Sequence, residues 1–139
     1  MRRDLESCKT VLEEENLTCV IRQGEAFYRF TERGIKPFMS LIENGTDLKG
    51  AVAADKVVGK AAALLMEKAG VIAVYAAVIS EPAVTVLKNG GIESEYGTLV
   101  PRIVNRKGDG LCPMESAVMD ISGADEAYRV LKEKLKTLQ

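Results

Sequence analysis

Apolar residues along the chain recur with two periods, and the switches between them mark out the elements. From Asp4 to Glu15, Leu5, Cys8, Val11 and Leu12 share one side at the spacing of a helix that docks by a single face. From Leu17 to Arg22 the pattern alternates, with Leu17, Cys19 and Ile21 on one side. Gln23-Gly24-Glu25 supplies a turn and Ala26 to Thr31 returns, which together predict an antiparallel hairpin. Ile35 to Glu43 reads as a short helix with Pro37 in its first turn and Asn44-Gly45 at its end. Leu48 to Ala53 is short and rich in small residues, and reads as a strand. Cys8 and Cys19 occupy apolar positions and are expected in the core.

The segment that follows sets the fold. A helix is expected from just after Asp55 to about Ala69, burying Val57, Val58, Ala61, Ala62, Leu65 and Ala69, with Gly70 as its C-terminal cap. Val71 to Ile79 has no polar alternation, so both its faces should be covered, as in a central parallel strand. A second helix opens at Ser80, buries Val84 and Leu87, and stops at Asn89-Gly90-Gly91. Ile92 to Val100 is a strand ended by Pro101, and Arg102 to Leu111 is a polar loop carrying Arg102, Arg106 and Lys107. Cys112-Pro113-Met114-Glu115 opens a short helix, and Ser122-Gly123-Ala124-Asp125 starts the last one, which docks through Ala127, Leu131 and Leu135. The sum is one domain over residues 1–139 with a three-layer α/β/α architecture. Its mixed central sheet begins with the antiparallel hairpin and continues in parallel strands. In such sheets ligands bind beyond the carboxyl ends of the strands. Asp55, Ser80 and Cys112 each precede a helix, so they are expected at that one edge.

Composition narrows the function. At 139 residues and 47% hydrophobic content the chain can bury a real core, and 5% aromatic content makes that core aliphatic. A net charge of -1 argues against broad nucleic-acid or anionic-membrane binding. No apolar run approaches the ~18 residues of a membrane span. The start Met1-Arg2-Arg3-Asp4 leads into a charged helix rather than a signal peptide, so a soluble cytoplasmic protein is expected. The chain has no histidine, which removes Ser-His-Asp and Cys-His catalysis and the histidine-based zinc sites. The three cysteines show no paired spacing, and no residue cluster has metal-ligand spacing, so neither a disulfide framework nor a cofactor is expected.

Two constellations remain that carry chemistry. Asp55 stands where an N-cap belongs, and Lys56 and Lys60, four apart with Gly59 between them, would share a face at the positive end of the helix. Free N–H groups there and after Ser80, where Glu81 opens the next helix, would complete a site for a small anionic or nucleotide-like molecule. The second constellation is Cys112 at the start of a proline-led helix. The helix dipole and the basic loop would favour its thiolate, and Glu115 in the same turn would be a proton acceptor.

The order of elements from Lys49 to Val100 resembles the cytidine deaminase-like fold. In that family one helix opens with His-Ala-Glu and the next with Pro-Cys-x-x-Cys, and the two together build a zinc site. Glu81-Pro82 after the strand and Gly90-Gly91-Ile92 after the helix are similar to the family's second motif. Ala54-Asp55-Lys56 stand at the first motif, with no histidine, and Ala83 and Val86 replace the two cysteines. The resemblance therefore implies the fold and an acidic position at Asp55, without zinc hydrolysis of an amino group. With Asp-Lys-Val-Val-Gly-Lys-Ala-Ala and Cys-Pro-Met-Glu, the whole chain resembles more closely an uncharacterised prokaryotic family assigned to this fold, which implies no activity. Three roles follow: zinc-free binding of a small anion, a metal-free enzyme with Cys112 as nucleophile, or an assembly module. For the last, Ala61-Ala62-Ala63 would let a helix pack closely in a homo-oligomer.

Overall fold

The computed structural model describes residues 2–32, 34–105 and 107–137; Arg106 of the basic loop lies outside them. Among the described residues, six helices and five strands follow in the order α1 (Arg2–Glu14), β1 (Cys19–Gln23), β2 (Ala26–Phe30), α2 (Lys36–Glu43), β3 (Val52–Val58), α3 (Lys60–Ala69), β4 (Ala73–Ser80), α4 (Glu81–Asn89), β5 (Glu93–Val100), α5 (Pro113–Ala117) and α6 (Ala124–Thr137). The strands form one sheet in the order β2-β1-β3-β4-β5. The hairpin β1–β2 is antiparallel, β1 also pairs antiparallel with β3, and β3, β4 and β5 run parallel. This is the three-layer α/β/α architecture, with a mixed sheet that begins in an N-terminal hairpin, that the sequence implies.

Neighbouring residues of β3 go to opposite faces, and that alternation builds two cores. On one face Val52 and Ala54 meet Leu5, Cys8 and Leu12 of α1. On the other, Ala53, Val74, Ala76 and Ile79 meet Leu64, Leu65 and Met66 of α3, Leu87 of α4 and Leu131 of α6. Cys8 and Cys19 are both sealed in, as expected of core thiols. The layers are unequal: α1 lies against β1, β3 and β4, whereas α3 is surrounded by α2, α4, α5 and α6.

The expected boundary between strand and helix near Asp55 is wrong. The strand expected over 48–53 lies at Val52–Val58, and α3 starts only at Lys60. Asp55, Val57 and Val58 continue the parallel ladder opposite Ala76, Val78 and Ile79. The β-branched pair Val57-Val58 suits an extended backbone, and the run of strong helix formers begins after Gly59. Val57, expected on the buried stripe of a helix, is 44% exposed on the strand. The other end of α3 is as expected, with Gly70 in the left-handed conformation (φ 87°) closing it.

Candidate functional site

The start of α3 lies just beyond the carboxyl end of β3, and its residues offer no cap. Gly59 occupies the N-cap position in extended backbone and has no side chain to accept the free N–H groups of the first turn. The acceptor comes from 55 residues down the chain. The Lys60 N–H donates to Glu115 Oε1 at 2.7 Å and the Ala61 N–H donates to Oε2 at 2.9 Å. Glu115 is buried at 8% exposure, with its charge against the positive end of the helix dipole. Gly59 makes this contact possible: a Cβ built there would fall within 2.7 Å of the carboxylate carbon and both its oxygens.

Ser80 is the N-cap expected of it: it is fully buried, and its hydroxyl accepts from the Ala83 N–H at 3.2 Å. Glu81 is exposed on the first turn of α4. Asp55 is not a cap. It is a mid-strand residue opposite Cys19 on β1, 6% exposed, and accepts from the Val57 N–H at 3.3 Å. Burial raises its carboxyl to about 7, offset in part by the backbone N–H groups of Val57 and Lys56 and by the Cys19 thiol. The thiol of Cys19 is in turn pushed up by burial and by Asp55 beside it. Lys56 and Lys60 do not share a helix face, because Lys56 belongs to the strand. The Lys56 ammonium donates to Asn16 Oδ1 at 3.3 Å and the Lys60 ammonium to the Met119 carbonyl at 2.9 Å.

Cys112 holds the N-cap position of α5 without making a side-chain cap bond. It is half-buried and lines a shallow cavity with Lys107, Asp109 and Pro113. Glu115, expected to be its proton acceptor, instead binds α3.

A cavity of about 490 Å³ opens where the parallel strands end. Lys60 enters it from just after β3, Pro82 from just after β4 and Arg102 from just after β5. Val104, Leu111 and Met119 give it apolar walls, and Asp109 and Glu115 add two carboxylates. Of the eight sequence-derived site residues, the cavity brings together Lys60 and Glu115; Gly59, Ser80 and Glu81 stand outside its lining. Asp55, Lys56 and Cys112 are not part of its lining. Arg102, Leu111 and Met119 were not singled out as ligand contacts; their signal is position, since each follows a strand end or flanks α5. The residues that open α3 and α4 are Gly59-Lys60-Ala61 and Glu81-Pro82-Ala83, and among the described residues no group of three or more His, Cys, Asp or Glu could hold a metal ion.

The family model described as "Domain of unknown function (DUF1893)" matches residues 7–135 of the chain. Among solved structures, a DUF1893 family protein from Thermotoga maritima is 28% identical with a TM-score of 0.88, covering 96% of this chain and 91% of that one. A diaminohydroxyphosphoribosylaminopyrimidine deaminase/5-amino-6-(5-phosphoribosylamino)uracil reductase from the same organism is 18% identical with a TM-score of 0.46, covering 68% of this chain and 36% of that one. No curated protein matches the chain.

Proposed function

The chain belongs to the DUF1893 family, and from that premise we propose that it binds a small anionic, nucleotide-like molecule in the cavity at the ends of β3, β4 and β5, without zinc. The observation that carries this reading is the pairing of Lys60 and Arg102 in one concave, partly apolar site. Arg102 has no ion-pair partner among the described residues. The Lys60 ammonium has two donors left after its bond to Met119. Glu115 is engaged by two backbone donors and forms no ion pair with Lys60 or Arg102 among the described residues, so the two cations are left to attract a ligand. The same engagement favours binding over covalent chemistry, because it takes from Cys112 the base assigned to it.

Thermal-shift and calorimetric titration with phosphate monoesters and nucleotides, against their neutral counterparts, tests the reading. A ligand at a hundredfold excess over its dissociation constant should stabilise the fold by ~2.7 kcal/mol. Arg102→Ala and Lys60→Met should each weaken binding by about tenfold, the loss expected for one charge-assisted contact of ~1.4 kcal/mol. Absence of any saturable response to an anion would overturn it.

A further inference from the structure

The cavity's lining carries both signs of charge, and this constrains what fits it beyond the requirement for an anion. Lys60 and Arg102 line it together with Glu115 and Asp109. A ligand that is negative throughout would meet repulsion from the two carboxylates in the same cavity. Glu115 is the better placed of the two to act on a ligand. Its carboxylate offers about four acceptor positions, of which the Lys60 and Ala61 N–H groups use two. It is held in place by α3 and by the absence of a side chain at Gly59, so the remaining acceptors sit rigidly in the cavity wall. Asp109 is fixed by its own loop, where its Oδ1 accepts from the Asn105 side-chain amide at 2.9 Å.

Resting on the anion-binding reading above, we infer that the ligand is a zwitterion, with an oxyanion held by Lys60 and Arg102 and a primary ammonium donating to Glu115. Recognition of the nitrogen depends on N–H donors and not on positive charge alone, since a carboxylate fixed by backbone groups accepts hydrogen bonds from set directions.

Calorimetry on the full chain with matched phosphate esters separates this inference from the broader reading. Aminoethyl and aminopropyl phosphate are compared with propyl and butyl phosphate, in which a methyl group replaces the ammonium. The amines should bind tighter by about tenfold, equivalent to ~1.4 kcal/mol. Glu115→Gln should abolish that preference, whereas Arg102→Ala should weaken amine and alkyl esters alike. Choline phosphate, which keeps the positive charge and has no N–H, provides an arm that needs no variant: on the unaltered protein it should bind like the alkyl esters. Equal affinity for amine and alkyl esters overturns the inference while leaving an anion site in place. Choline phosphate binding as tightly as aminoethyl phosphate, or a preference for amines surviving in a folded Glu115→Gln, overturns the role given to Glu115. No binding of any ester overturns the anion reading as well.

Discussion

Glu115 and Gly59 act as a unit, and their coupling can be measured. Removing the carboxylate in Glu115→Ala leaves two N–H groups of α3 without acceptors, at a cost of roughly 2 kcal/mol in urea unfolding. Gly59→Ala should cost a similar amount by pushing the carboxylate away, and the double variant should lose little more than either single one. Additive losses would show that the two residues act separately. Asp55 makes a different prediction. Its carboxyl is raised to about 7 when folded, against ~3.9 in an unfolded chain, so between those values the folded protein holds a proton that the unfolded chain has released. The stability this group contributes is therefore fully present below about pH 4 and declines as pH rises toward 7, by at most ~1.4 kcal/mol per pH unit. Asp55→Asn should flatten that slope in equilibrium denaturation across the same range.

The elements show what a single sequence can and cannot reveal. The hairpin, α4 and α6 were legible because alternation, Ser80 and the apolar stripe of the last helix each have one local reading. Ser80→Ala tests the α4 reading and should cost about 1 kcal/mol through loss of the bond to the Ala83 N–H. The start of α3 was misread because Val57 and Val58 fit a helical stripe and a strand equally well, and Asp55 has the chemistry of a cap. The parallel ladder with β4, joined at Asp55 by the antiparallel one with β1, decides for the strand, and both pairings are contacts between distant segments. The capping role of Glu115 was illegible for the same reason. Nothing near residue 60 reports that its partner lies after a loop, a helix and two strands. Sequence placed Glu115 beside Cys112 because they share a turn, whereas the fold turns its carboxylate toward α3.

Across the whole molecule, burial should separate the thiols. Cys8 is raised to about 11, chiefly by burial, and Cys19 is fully enclosed, so iodoacetamide should reach half-buried Cys112 first and the other two only on unfolding. Early labelling of Cys8 or Cys19, read by mass spectrometry, would contradict the packing described for both faces. The reach from residue 115 back to residue 60 also imposes an order in time. A chain leaving the ribosome exposes β3, α3 and β4 well before α5 has been made, so the central helix must wait with its first turn open. Its interior can dock on the sheet during that wait, but its opening cannot be closed until the last third of the chain arrives. Pulse-labelled hydrogen exchange during refolding should then find the Lys60 and Ala61 amides gaining protection later than the amides of Leu64 to Met66, in step with those of α5.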